Sequence, residues 1–161
     1  MPLYFAYGSN MDRDAMRQRC PNSRPLGRAR LMRHRFFIMG SGHGSVKRDP
    51  RMDVHGVLFD LAFADIPGLD RYEEIGRGLY KKITQGVLRD GAAPVRALLY
   101  VGTSGQEGVA KGDYLDRVIA AARVWAFPDA YLAYLASLAG PGSAAGKREA
   151  GTWRAIRLKG L

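Results

Sequence analysis

Leu3-Tyr4-Phe5-Ala6-Tyr7-Gly8-Ser9-Asn10-Met11-Asp12 is the stretch around which the chain is organised. Its first half is apolar and aromatic without a charge, the composition of a short buried strand. Gly8-Ser9-Asn10 is turn chemistry, since glycine accepts positive φ and serine and asparagine bond neighbouring backbone groups. Asp12 then stands as the N-cap of a helix expected over Arg13 to Arg19, with Asp14 in its first turn. A strand that empties through such a loop into a helix start forms a cup of backbone N–H groups, suited to a carboxylate or phosphate. The same spacing also serves merely to turn the chain, and spacing alone does not separate the two.

Downstream, Pro21-Asn22-Ser23-Arg24-Pro25 reads as a loop, and Leu26 to Ile38 as two strands or one long bent one. Gly40-Ser41-Gly42-His43-Gly44-Ser45 followed by Lys47-Arg48-Asp49-Pro50 predicts a flexible, exposed loop of about a dozen residues, the length of a binding loop or lid. Val54 to Leu61 is nearly unbroken in apolar character after Gly56 and predicts a strand buried on both faces. Ala64 to Tyr72 predicts a short helix interrupted at Pro67-Gly68. Tyr80–Leu88 and Val95–Val101, joined through Arg89-Asp90-Gly91, form the best hairpin signal. From Asp113 the apolar residues recur at helical spacing, and a second helix follows Pro128-Asp129. There is no internal repeat and no sign of a second core. The reading is one α+β domain over residues 1–139, a mostly β body with peripheral helices, and a flexible Gly/Ala-rich tail over 140–161 in which Trp153 and Ile156 dock the extreme end.

A length of 161 residues, with 47% hydrophobic and 25% charged content, suits one soluble domain with a real core. The apolar runs are too short to span a bilayer, and MPLYFAY lacks a basic leader, so a cytoplasmic protein without a membrane partner is expected. The single cysteine, Cys20, leaves no internal disulfide. Arg17 and Arg19 beside it would lower its pKa if it were reactive; otherwise it is a small packed residue. The net charge of +10 is concentrated: residues 1–50 hold ten Lys and Arg against three Asp, a net +7. Such a surface can track a phosphate backbone or attract a small anionic substrate. The arginines lack the aromatic interleaving of a stacking platform, so nucleic acid is not the expected partner.

His34, His43 and His55 are scattered without ligand spacing, and no metal site is expected. Ser9 and Ser45 have no adjacent base pattern. The informative acids are in Leu69-Asp70-Arg71-Tyr72-Glu73-Glu74, ahead of Gly76-Arg77-Gly78-Leu79-Tyr80. Two neighbouring carboxylates are ordinarily solvated. Here Tyr72 and Tyr80 can wall one of them off from water, which raises a carboxyl pKa toward the range of a general base.

Tyr7-Gly8-Ser9-Asn10-Met11 after an N-terminal strand resembles the signature loop of the γ-glutamylcyclotransferase-like (AIG2-like) family. Leu69-Asp70-x-x-Glu73 followed by Gly78-Leu79-Tyr80 is similar to the family segment that carries its catalytic glutamate, and Val54 to Leu61 resembles the strand before it. The resemblance covers residues 3–101. It departs at Glu74, where the family commonly has glycine, and residues 113–139 carry no motif.

The resemblance implies a small mixed β-barrel with flanking helices and an enzyme without metal or organic cofactor. Its small-molecule substrate would be a γ-glutamyl amide or peptide, and its products 5-oxoproline and a free amine. The substrate's α-amine attacks its own γ-carbonyl. Near pH 7 that amine is mostly protonated, so a base is needed, and Glu73 is the matching position. Tyr7, Gly8, Ser9, Asn10 and Met11 would hold the substrate, and Tyr80 would orient Glu73 or the substrate. The alternative is a non-catalytic or nucleic-acid-binding module using the basic N-terminal third.

Overall fold

Five strands close into a barrel in the computed structural model, which describes residues 2–140. They are β1 (Leu3–Ala6), β2 (Arg24–Ile38), β3 (Gly44–Asp60), β4 (Tyr80–Arg89) and β5 (Val95–Gly102), in the spatial order β1-β3-β2-β4-β5. β1 lies antiparallel to β3, with Phe5 opposite Leu58, and parallel to β5, where Tyr4 opposite Leu98 is the paired residue. The long β2–β3 pairing makes most of the wall, and β4 and β5 form the expected hairpin. Phe5, Leu31, Phe36, Val54, Leu58 and Leu99 are fully buried and fill the interior.

Around the barrel pack α1 (Arg13–Arg19), α2 (Ile66–Tyr72), α3 (Tyr114–Val124) and α4 (Asp129–Ser137). Asp12 caps α1 as its sequence predicts, its carboxylate accepting from the Ala15 amide at 2.8 Å. α3 buries Leu115, Val118, Ile119 and Ala122 on one face. Trp125, just past its end, donates its indole N–H to the Met11 carbonyl at 2.8 Å. The motif-free C-terminal third thus braces the N-terminal loop.

Three expectations are corrected. The dozen-residue loop at 40–50 does not exist: β3 begins at Gly44, and residues 39–43 form a tight turn in which the Met39 amide donates to the His43 carbonyl at 2.9 Å. Two glycines of this stretch, Gly42 and Gly44, are there for close approach or backbone freedom. A Cβ on Gly44 would meet the Phe36 ring at 2.4 Å, and Gly42 has φ +88°. The helix at 66–72 is not interrupted, because Pro67 falls in its first turn, where a missing N–H costs nothing. The loop at 21–25 ends early, since β2 begins at Arg24 and continues as one strand with register shifts at Pro25/Gly27 and Met32/His34. The tail expected over 140–161, Trp153 and Ile156 included, lies outside the described residues apart from Gly140.

Cys20 is fully buried, and burial, with Asp65 nearby, pushes its thiol up to about 11 despite Arg19. It is a packed residue. Among the described residues no helix is long and apolar enough to cross a membrane.

Candidate active site

The site begins where β1 ends. Tyr7 leaves the strand and turns its hydroxyl back to the Tyr100 carbonyl on β5, so the chain enters the loop pinned across the barrel seam. Gly8 opens a single 3-10 turn, Ser9–Met11, before α1. Its φ is −119°, so left-handed freedom is not what the position needs. The need is for space: a Cβ here would stand 2.7 Å from the Tyr114 hydroxyl.

On the other side, α2 delivers Glu73 as its C-cap residue, with the amide of Glu73 bonded to the Leu69 carbonyl at 2.9 Å. The chain then reverses through Glu74 in the left-handed region, φ 53° and ψ 42°. Glycine, which the family resemblance expects at this position, takes that conformation without a Cβ penalty. A 3-10 turn, Ile75–Arg77, and a left-handed Gly78 lead into β4. This double reversal aims Glu73 inward.

Loop and helix end face each other across a cavity of about 180 Å³. Tyr4, Tyr7, Tyr72, Tyr80, Tyr100 and Tyr114 wall it, Gly8, Ser9 and Asn10 form one rim, and His43, Gly44 and Glu74 another. Glu73 is its inner carboxylate. The helix end offers carbonyls rather than N–H groups, and the donor to Glu73 comes from the facing loop: Asn10 Nδ2 bonds Oε1 at 3.1 Å and also the Tyr4 hydroxyl at 3.0 Å. Burial raises the Glu73 carboxyl from 4.5 to about 7, with the Arg19 charge pulling the other way. That is the range in which a carboxyl can accept a proton and give it back at neutral pH.

The phenols are a different class of group. Burial pushes Tyr4, Tyr80, Tyr100 and Tyr114 well above their ordinary range, so they act as neutral hydrogen-bonding surfaces. Tyr80 donates to the Gly44 carbonyl at 2.8 Å, and Tyr100 to Asp70 at 2.5 Å. Lys82 also holds Asp70, at 2.8 Å, and so ties α2 to the β4–β5 hairpin.

Of the residues named from the sequence, Tyr7, Gly8, Ser9, Asn10, Glu73 and Tyr80 converge on this cavity. Met11 does not: it is fully buried, its amide donates to the Gly8 carbonyl at 3.1 Å, and its carbonyl accepts from the Trp125 indole outside the cavity. Sequence reasoning missed Arg19, Tyr100 and Tyr114. Arg19 had one usable signal, three residues after the buried Met16 and so on the inward face of α1. Tyr114 had none, being the first residue of a helix without a motif.

The sequence model of the AIG2-like family matches residues 53–135. No curated protein matches the chain by sequence. Among solved structures it is similar to a gamma-glutamyl cyclotransferase, with TM-score 0.81 and 20% identity over 89% of this chain and 90% of that one. An uncharacterised human protein superposes with TM-score 0.79 and 22% identity, over 88% and 89% of the two chains. A yeast gamma-glutamyl cyclotransferase specific to glutathione gives TM-score 0.57 and 13% identity, over 83% and 93%.

Proposed function

This chain belongs to the AIG2-like family, and from that premise we propose that it is a cyclotransferase, converting a γ-glutamyl amide to 5-oxoproline and a free amine. The observation that carries the reading is Glu73: a carboxyl with its pKa raised to about 7, facing a tyrosine-walled cavity and held by Asn10 of the N-terminal loop.

In this mechanism the substrate's glutamyl part lies with its α-carboxylate toward the Gly8–Asn10 loop and its α-ammonium toward Glu73. Glu73 takes a proton from the ammonium, and the freed amine attacks the γ-carbonyl. As the tetrahedral centre collapses, the bond to the leaving nitrogen breaks, Glu73 returns its proton to that nitrogen, and the ring nitrogen sheds its second proton to solvent to leave a neutral lactam. The cavity holds the glutamyl chain folded on itself, so that attack is intramolecular and already oriented. Neutral phenols around the carbonyl can donate to the developing oxyanion without themselves ionising. Tyr114 lines the cavity as such a wall, whereas the Tyr80 hydroxyl already donates to the Gly44 carbonyl.

The test is release of 5-oxoproline from a panel of γ-glutamyl amines, amino acids and peptides, followed by mass spectrometry. Turnover of at least one member is expected. Glu73→Gln should cut that turnover by about a hundredfold or more with the fold intact, the usual worth of a positioned base. Near-normal turnover in that variant would move the base elsewhere.

A further inference from the structure

Arg19, the last residue of α1, does not line the cavity, yet its guanidinium makes two contacts that both lead there. It donates to Oδ1 of Asn10, and it lies over the Tyr72 ring, 3.7 Å from the centroid. The Tyr72 hydroxyl in turn shares a hydrogen bond with Ser9 Oγ at 3.1 Å. One cation therefore ties together the loop and the helix end that present the two sides of the site.

The contact with Asn10 has a directional consequence. A carboxamide can present its oxygen or its NH2 to a neighbour, and the two choices are opposite in sign. Guanidinium has only donors, so the Asn10 oxygen must face Arg19 and the NH2 must face away. Facing away, it reaches Glu73 and Tyr4. With the amide reversed, a carbonyl oxygen would stand against the Glu73 carboxylate and an NH2 against a cation, and both contacts would repel.

We propose that Arg19 is a positioning residue for Glu73, locking Asn10 in the donating orientation and so keeping a buried carboxylate available. This rests on the reading of Glu73 as the base. The other titratable groups facing Glu73 come from every wall. They are the phenols of Tyr4 on β1 and Tyr7 just past it, Tyr80 on β4, Tyr100 on β5 (with its partner Asp70 on α2) and Tyr114 on α3. Tyr72, His43 and Glu74, the last paired with Arg77, stand at the rim. The phenols stay neutral. Arg19 is the charge that opposes the effect of burial on Glu73.

The experiment compares wild type, Arg19→Gln and Arg19→Lys by two readouts. One is the Glu73 carboxyl titration, followed by carbon NMR with Glu73→Gln supplying the assignment; it needs no substrate. The other is the pH profile of kcat/KM on the γ-glutamyl compound turned over best in the panel. Arg19→Gln should move the Glu73 midpoint up by about one pH unit, the size expected for loss of a nearby opposite charge. The acid limb of kcat/KM should move with it, giving about a tenfold loss at pH 6 and little at pH 9. Arg19→Lys keeps a donor and a charge and should recover most of both. An unmoved midpoint in Arg19→Gln, with activity lowered equally at every pH, would overturn the proposal and leave Arg19 a structural residue. A midpoint that moves while activity ignores it would instead overturn the reading of Glu73 as the base, with the coupling to Arg19 intact.

Discussion

Glu73 is stabilising to the fold only when protonated. Its folded-state pKa of about 7 lies above the ordinary 4.5, so the native protein binds the proton more tightly than the unfolded chain does. That contribution is complete below pH 4.5 and is lost as pH rises through 7. Glu73→Gln, permanently neutral, should therefore match wild type in thermal midpoint at pH 4 and exceed it at pH 8. The gain should be about 1–3 kcal/mol, the upper end being the full shift at 1.36 kcal/mol per unit. Melts at the two pH values check this, and equal midpoints at pH 8 would mean that Glu73 is solvated. Gly8 makes a complementary case. Gly8→Ala sets a methyl against the Tyr114 hydroxyl, so kcat/KM should drop more than tenfold while the midpoint barely moves. If activity follows the folded fraction instead, the loop only turns the chain. Glu73 and Gly8 were both legible in the sequence as members of motifs. Arg19 and Tyr114 were not, because their roles depend on which way a helix face and a distant helix start are carried by the barrel.

At the scale of elements, backbone conformation was the least legible feature. Glycines at 40, 42 and 44 looked like slack, whereas Gly44 leaves room for the Phe36 ring in a taut turn. The reverse error was open at Ala126, which carries a side chain where glycine is usual. α3 ends in a Schellman motif: the Phe127 amide reaches the Ala122 carbonyl at 3.1 Å, the Ala126 amide reaches Arg123 at 2.9 Å, and Ala126 takes φ 55°. Its Cβ is strained there by about 1–2 kcal/mol. Ala126→Gly should raise stability by about 1 kcal/mol, part of the relief being offset by the freer unfolded chain. Chemical denaturation measures it, and a loss of stability would show that the methyl is packed usefully. Strands, helices and their order were otherwise readable, since alternation and helical spacing report burial directly.

For the whole molecule the question is what the +7 of the first fifty residues does. Several of its arginines already face carboxylates: Arg24 on Asp60, Arg28 on Asp90, Arg30 on Asp53, and Arg35 on Glu107. Paired in this way, they make a poorer track for a phosphate backbone than the sequence run implies. What remains is a diffuse positive field, which attracts small anions and is screened within about 10 Å at 0.1 M salt. Raising salt from 20 to 300 mM should lower kcat/KM about two- to threefold and leave kcat alone. Filter binding with RNA and DNA over the same range is the counter-measurement, and tight binding at physiological salt would restore the nucleic-acid reading.

The barrel's closure also sets an order of events during synthesis. Of the five barrel strands β1 leaves the ribosome first, yet its parallel partner, β5, lies more than ninety residues later, Tyr4 meeting Leu98. Until β5 is made, β1 and β4 each keep an unpaired edge, the kind of surface on which chains join one another. A nascent or truncated chain that stops before residue 102 is thus an aggregation hazard, and Tyr114, from α3, is added to the cavity only later still. The residues of β1 wait longest for their neighbours, and the window in which a chaperone would be needed opens at the first barrel strand and shuts at the fifth.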